Sequence, residues 1–405
     1  MTNTRIRISA LLLAISGLLT PHPAAFGAGK APKTHELTFS GKATPEQYYV
    51  PVYTSFTVPE GIVKISVTQH LGSGEARPGN LDLGIFDERG AGFEGPGFRG
   101  WSGGARRSFE IGETEATPGY LAGRINPGRW TVIQMPTTAG RTTDWTLKIT
   151  LTEGPRAKKL PTPSYAAPQL NDKPGWYRIA PHVHTVHSDG RLTPAEVIAL
   201  GKASGLDGIV STDHNTTSAL LHWGEVQDPE FLVINGMEVT YGQGHWNIFG
   251  LDPHAWIDFR IHHNDTLRYR KAVAKARKAG RLLVANHPYN LDFLYDVTPM
   301  DGIEVWNSAW SPANERAVEL WHPLLVGGNR KFAVASTDFH RGGNIASPHT
   351  VVRAEALSAE AVIDAIAAGR SYMARDTSVE IGMQVRNSAT PVQHADIGDT
   401  LLRSG

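Results

Sequence analysis

The 405-residue sequence contains no cysteine. No disulfide can staple it, and no thiolate is available for a zinc finger or an iron–sulfur cluster. Any metal ion must therefore be held by imidazole and carboxylate. A net charge is also missing: 39 Lys+Arg balance 39 Asp+Glu. That balance leaves no overall basic footprint for nucleic acid or an anionic membrane, so recognition of an anion has to be local. Long apolar runs are absent too. The run from Ile8 to Leu19 follows Arg5 and Arg7 and precedes small residues ending at Gly27. It falls short of the roughly 20 residues needed to span a bilayer. We expect a secretory signal peptide over 1–27, a periplasmic or secreted mature chain without a membrane span, and no lipid-modified N-terminus.

Residues 35–153 have a strand grammar. "GIVKISVT" sets Val63, Ile65 and Val67 against Lys64 and Ser66, and "LDLGIFDERG", "RWTVIQM" and "WTLKITLTE" follow with turn residues between them. Short alternating runs of this kind predict an antiparallel β-sandwich or jelly roll. The Gly-rich stretch 97–111, "GFRGWSGGARRSFEI", carries Arg99, Arg106 and Arg107 but lacks the Gly-Lys-Ser/Thr ending of a phosphate-cradling loop. It is expected as a turn or a loop lying over the second domain. Residues 154–175 hold five prolines and little periodicity, which predicts a linker.

Beyond it the pattern alternates strands and helices. Thr193, Pro194 and Glu196 form a capping box ahead of a helix that Gly205 stops. "GIVSTDHN", "RLLVANHP", "GIEVWNS" and "KFAVASTDFH" read as strands, and "TLRYRKAVAKARKAG", "ANERAVELWHPLL" and "SAEAVIDAIAAG" as helices. The expectation over 176–375 is a parallel β/α barrel, making the chain a multi-domain β plus α/β protein. The remainder, 376–405, has β-like alternation; it either adds strands to the barrel or begins a further short unit.

Thirteen of the 17 histidines lie between 182 and 349. Many stand where strands end: His182 and His184, His214, His287, then Asp338 and His340, with Glu238 ending another strand and His245 opening the next. Strand ends of a barrel converge on one mouth, where barrel enzymes keep their chemistry. Six histidines and three carboxylates at one rim need a partner if buried, and metal ions would satisfy them. His222, His254, His262, His263, His322 and His349 are read as ordinary hydrogen-bonded or surface residues.

The motifs "HVHTVHSDG", "STDHN", "GMEVTYGQGH", "NHP" and "DFH", in that order across about 178–375, resemble the PHP (polymerase and histidinol phosphatase) family. The resemblance implies a distorted (β/α)7 barrel around two or three divalent ions. By that resemblance His182, His184, Glu238 and Asp338 hold one ion, and Glu238 bridges to a second held by His245 and His287. Asp189, His214 and His340 hold a third. His187 matches no ligand position. Asp213, Asn215, Asn247 and Asn286 flank the ligands and could orient them. The amidohydrolase barrel also opens with His-x-His, but its bridging group is a strand-end lysine, and here Glu238 takes that place.

Imidazole–carboxylate sets suit Mn, Fe or Zn alike. Such ions activate water and polarise a substrate oxygen, so the expected activity is a metal-dependent phosphoesterase using hydroxide bridged at a trinuclear site. Glu238, Asp338, His340 and Arg341 are the candidate catalytic residues. Arg341 either contacts an anionic substrate or forms a surface salt bridge. Tyr241, Tyr289, Trp306 and Trp310 either line the pocket or pack the core. No general acid stands apart from the metal ligands. The first domain, with "FRGWSG" and "TPGYLAGRINPGRW", is similar to the exported branch that includes carbaryl hydrolases (the CehA/McbA group). Carbamate or carboxylic-ester hydrolysis is thus an alternative, and a non-catalytic periplasmic metal- or carbohydrate-binding protein is another. The expected partner is a small-molecule ester, with no nucleic acid.

Overall fold

The first region holds eight strands: β1 (Thr34–Ala43), β2 (Val52–Val58), β3 (Ile62–Gly72), β4 (Leu81–Phe86), β5 (Phe98–Gly103), β6 (Ser108–Gly112), β7 (Gly128–Pro136) and β8 (Thr143–Glu153). Strands such as β1 and β8 alternate inward and outward side chains, whereas β4, β5 and β7 are buried almost throughout. They form two antiparallel four-stranded sheets, ordered β1-β8-β3-β6 and β2-β7-β4-β5. Ile65, Val67, Phe109, Leu147 and Ile149 of the first sheet share one core with Leu83, Ile85, Trp130 and Val132 of the second. One register differs from the sequence pattern. A bulge between Ile62 and Lys64 puts Ile62, rather than Val63, into the core, because the extra residue shifts which side chain faces inward. The computed structural model describes residues 32–72, 78–289, 296–383, 385–386 and 394–399. The signal peptide expected over 1–27 lies outside them.

Residues 154–174 run largely without regular structure, apart from β9 (Gln169–Asn171). A nine-stranded sheet follows, built from β10 (Gly175–Val183), β11 (Gly208–Ser211), β12 (Leu232–Tyr241), β13 (Gly244–Phe249), β14 (Leu282–Ala285), β15 (Gly302–Asn307), β16 (Phe332–Ser336), β17 (His349–Ala354) and, beyond the short β18 (Leu357–Ser358), β19 (Ser371–Ala374). Its order is β16-β15-β14-β13-β12-β11-β10-β17-β19, and β9 pairs with β18 apart from it. The sheet nearly closes. Val183 bridges to Phe339 in the parallel sense, and the amide of His182 donates to Ser336 Oγ at 3.1 Å.

This sheet departs from the parallel pattern expected of it. β10, β11 and β12 run parallel, as do β14, β15 and β16, but β12–β13, β13–β14, β10–β17 and β17–β19 are antiparallel. Only Gly242 and Gln243 separate β12 from β13, and a parallel crossover needs a dozen residues or more. Among the described residues, α-helices are α1 (Pro194–Ala203), α2 (Thr266–Ala279), α3 (Pro312–Val326) and α4 (Ala359–Ala367), and 3-10 turns replace a helix between β11 and β12. The α1 capping box forms as read, with Thr193 N donating to Glu196 Oε2 at 2.8 Å. Among the described residues after 376, β20 (Val385–Arg386) and β21 (His394–Ala395) form a separate two-stranded antiparallel pair.

The Gly-rich stretch, expected as a turn or loop, instead forms β5, the turn after it and most of β6, and β5 packs on the nine-stranded region. Phe98 stacks on Trp256 with centroids 4.0 Å apart, and Trp101 meets Phe259 at 4.5 Å. Polar groups clamp the same junction. Buried Arg260 pairs with Asp258 and donates to the carbonyls of Ala91 at 2.8 Å and Gly92 at 2.9 Å, while Asp258 accepts from the amide of Glu94 at 2.8 Å.

Candidate metal centre

Most of the candidate side chains lie at or just beyond strand ends, while Asp189 comes from a loop and Glu238 from within β12. β10 carries His182 and passes into His184, both buried. The loop after them is shaped by Asp213, which accepts from the amide of Thr185 (2.8 Å), its hydroxyl (2.8 Å) and the hydroxyl of Ser188 (2.6 Å). That loop presents Asp189 to His340 Nε2 at 3.1 Å and His214 Nε2 at 3.5 Å. Asn215 holds the next position with a positive φ of 57°, and its side chain binds both backbone groups of Thr240. His287 (φ 26°) and Asp338 (φ 53°) also sit in sparsely populated backbone regions. Such outliers persist where the surrounding structure over-determines them.

Glu238, fully buried on β12, is the hub. Its Oε1 lies 3.3 Å from His182 Nε2, 3.2 Å from His245 Nδ1 and 3.4 Å from His287 Nε2, and it accepts from Asn286 Nδ2 at 2.7 Å. Its Oε2 lies 2.7 Å from His214 Nδ1 and 3.5 Å from His184 Nε2. Asp338 Oδ1 stands 2.8 Å from His184 Nε2 and 3.2 Å from His182 Nε2. All nine expected ligand residues therefore converge, in four overlapping groups whose donor atoms lie within 4.8 Å of one another. The groupings differ in detail from the sets implied by resemblance. His184 gathers with Asp189, His214 and His340, while His287 gathers with His182 and Asp338.

Despite these short separations, His182 Nε2, His184 Nδ1 and Glu238 Oε2 are buried and make no hydrogen bond. Buried polar atoms are ordinarily satisfied. His184 Nε2 and His245 Nδ1 do meet carboxylate oxygens of Asp338 and Glu238 at 2.8 and 3.2 Å, but buried donor atoms left over at such a convergence suit a divalent cation, and the imidazole–carboxylate mixture is the donor set such ions take. The electrostatics are correspondingly tense. Burial, helped by His214 and His340, drives the His184 imidazole down to about 3. Burial pulls on His182 in the same direction, but the carboxylates of Asp338, Glu304 and Glu238 outweigh it and hold that imidazole well above its usual value. Burial also opposes ionisation of Glu238, but the neighbouring His214, His182 and His245 hold its carboxyl well below the ordinary range.

The residues set aside in the sequence stay apart from the cluster. His187 Nδ1 faces Ser218 Oγ at 2.8 Å, His222 pairs with Glu225, His254 with Tyr165, and His349 Nδ1 with the carbonyl of Ala346. Tyr241 lines the cavity beside His214 and His245. Trp306 and Trp310 instead meet edge-on, with Trp310 exposed, and Tyr289 carries Arg316 over its ring. Arg341 is exposed and shares a cleft of about 620 Å³ with Arg106, Arg191 and His340.

Sequence reading missed Glu304. It is buried on β15, its Oε1 faces His182 Nδ1 at 3.1 Å, and its Oε2 accepts from the amide of His287 at 2.9 Å. Its signal was a carboxylate in a strand, "GIEVWN", whose other residues are mostly apolar.

No protein-family model matches the chain, and no curated protein matches it. Solved structures do resemble it. A two-domain protein from Bacteroides vulgatus ATCC 8482, described as containing a predicted PHP-like metal-dependent phosphoesterase, shares 20% identity at a TM-score of 0.38, covering 55% of this chain and 70% of that one. PsfC from Pseudomonas syringae PB-5123 shares 14% at 0.36, covering 50% and 93%. An amidohydrolase from Chromobacterium violaceum shares 18% at 0.32, covering 41% and 89%.

Proposed function

We propose that this chain is a metal-dependent hydrolase of the PHP type, acting on esters and foremost on phosphoesters. The supporting observation is the convergence of six imidazoles and three carboxylates on shared points, with buried donor atoms left without hydrogen bonds. His182, His184, Asp189, His214, Glu238, His245, His287, Asp338 and His340 would hold two to three divalent ions. Ions of this kind supply an activated water and neutralise charge on a substrate oxygen. The chain's own residues prepare that chemistry. Glu304 fixes the proton of His182 on Nδ1, so that Nε2 faces the cluster. Asp213 holds the loop that presents Asp189. Arg341, Arg191 and Arg106 give the adjoining cleft the local positive charge that the neutral chain lacks overall, and they would hold the anionic part of a substrate.

The test is turnover of p-nitrophenyl phosphate, bis-p-nitrophenyl phosphate and an aryl carbamate by purified protein supplied with Mn²⁺, Fe²⁺ or Zn²⁺. Hydrolysis of a phosphoester supports the reading. Turnover of the carbamate alone moves the assignment to carbamate hydrolysis, and no turnover with metal bound makes this a binding protein. We also propose that the protein works outside the cytoplasm, on the strength of Arg5, Arg7 and the Ile8–Leu19 run. A mature N-terminus at residue 28 in protein from the native host checks that assignment.

A further inference from the structure

The two-sheet region reaches the candidate metal centre. A cavity of about 530 Å³ is lined from the nine-stranded region by Asp189, His214 and His245, and from the two-sheet region by Tyr49, Asp82 and Trp101. Tyr49 sits at φ 54°, unusual for a bulky residue. Its amide donates to the carbonyl of Pro136, and its ring covers Gly242, where an added Cβ would stand 2.7 Å from ring carbon Cγ. Gly242 lies in the turn between Glu238 and His245, so the strained tyrosine seats one region on the hairpin that carries two candidate ligands.

Asp82 lies on β4 and is held by a short relay. Arg107 Nη2 donates to Asn80 Oδ1 at 2.7 Å, which fixes the Asn80 amide so that its Nδ2 donates to Asp82 Oδ1 at 2.6 Å. Thr137 donates to the same oxygen at 3.1 Å. Both hydrogen bonds fall on Oδ1, so a proton on this carboxyl belongs on Oδ2. The ionisable groups around it are Arg107, His214, Asp189 and Tyr49. Burial pushes the carboxyl up to about 6, with Thr137, Arg107 and His214 pulling against it and Asp189 with it. A general acid works best with a pKa near the operating pH.

We propose that this cavity receives the leaving group of the ester, an alcohol or phenol with an apolar body, and that Asp82 protonates its departing oxygen. This rests on the hydrolase reading above. Water adds its oxygen to phosphorus and releases a proton to solvent. The bond from phosphorus to the leaving oxygen breaks with its electron pair on that oxygen, which takes the proton from Asp82. The carboxylate then regains a proton from solvent. Trp101, Met135 and Phe259 give the apolar body its surface. The acid thus comes from outside the ligand set and from the other half of the chain.

The experiment compares kcat/KM for phenyl and p-nitrophenyl esters of one acid, drawn from the ester class that the wild-type protein turns over. Asp82→Asn keeps Oδ1 and both of its hydrogen bonds while removing the acidic proton. General acids contribute about 10²–10⁴-fold, and a poor leaving group depends on them most. The variant should therefore lose at least about tenfold more on the phenyl ester than on the p-nitrophenyl ester, with metal content unchanged. Equal losses on the two, or none, overturn the proposal. A second measurement needs no variant: wild-type rates should vary little between the two leaving groups, and a steep preference for p-nitrophenol overturns it as well. Wild-type protein inactive on every ester would sink the hydrolase reading and the assignment of Asp82 with it.

Discussion

Replacing Glu304 by Gln changes one atom of a buried side chain and should invert a tautomer. Oε2 of Glu304 accepts two donors, the amide of His287 at 2.9 Å and Asn307 Nδ2 at 3.2 Å, while Oε1 faces His182 Nδ1 at 3.1 Å. In the Gln variant the amide oxygen stays with the two donors and the NH₂ turns to His182. Nδ1 must then accept, so the imidazole proton moves to Nε2, which lies 3.3 Å from Glu238 and 3.2 Å from Asp338. A protonated Nε2 cannot ligate an ion. Losing such a supporting hydrogen bond costs about 10–100-fold in metal affinity, or about 1.4–2.7 kcal/mol. The assay is calorimetric metal titration, paired with unfolding at a metal concentration a thousandfold above the wild-type dissociation constant. Stabilisation of about 4.1 kcal/mol in the wild type should fall to about 2.7 kcal/mol for a tenfold loss, or about 1.4 kcal/mol for a hundredfold loss. A folded variant that binds metal with wild-type affinity would refute the tautomer argument and the ligand role of His182.

Three further outcomes are expected. His184→Ala, which removes a buried imidazole shared by two donor groups, should lower the metal stoichiometry measured by elemental analysis. Arg260→Met should destabilise the protein by about 3–5 kcal/mol in denaturant unfolding, because it strands Asp258 as a buried unpaired charge at the junction of the two regions. His349 is buried with Nδ1 on the carbonyl of Ala346, and burial lowers its pKa below 6.5. The native state therefore binds fewer protons there than the unfolded chain, and stability should fall as the pH drops below about 6.5. His349→Gln should flatten that part of the profile in thermal unfolding at pH 5 to 8.

The sequence alone determined most local elements, which depend on neighbours within a few positions, and it named the nine candidate ligands that the fold brings together. Thr193 and Glu196 cap a helix wherever they stand three apart ahead of an apolar run, and imidazoles at strand ends announce themselves by periodicity. Even so, the bulge at Ile62–Lys64 was illegible, because it depends on the partner strand β8. The antiparallel turn at β12–β13 was overlooked although only Gly242 and Gln243 separate the strands; once seen, that spacing alone forbids a crossover. What only the tertiary structure decided was everything that acts across long separations. Glu304 stands 122 positions from the histidine it orients. Asp82 stands more than a hundred positions from Asp189 and His214, with which it shares a cavity. No pattern of 2.0 or 3.6 residues links such groups. They meet because Trp101, Phe98 and Arg260 bury the junction between the two regions, and that burial is a property of the folded chain.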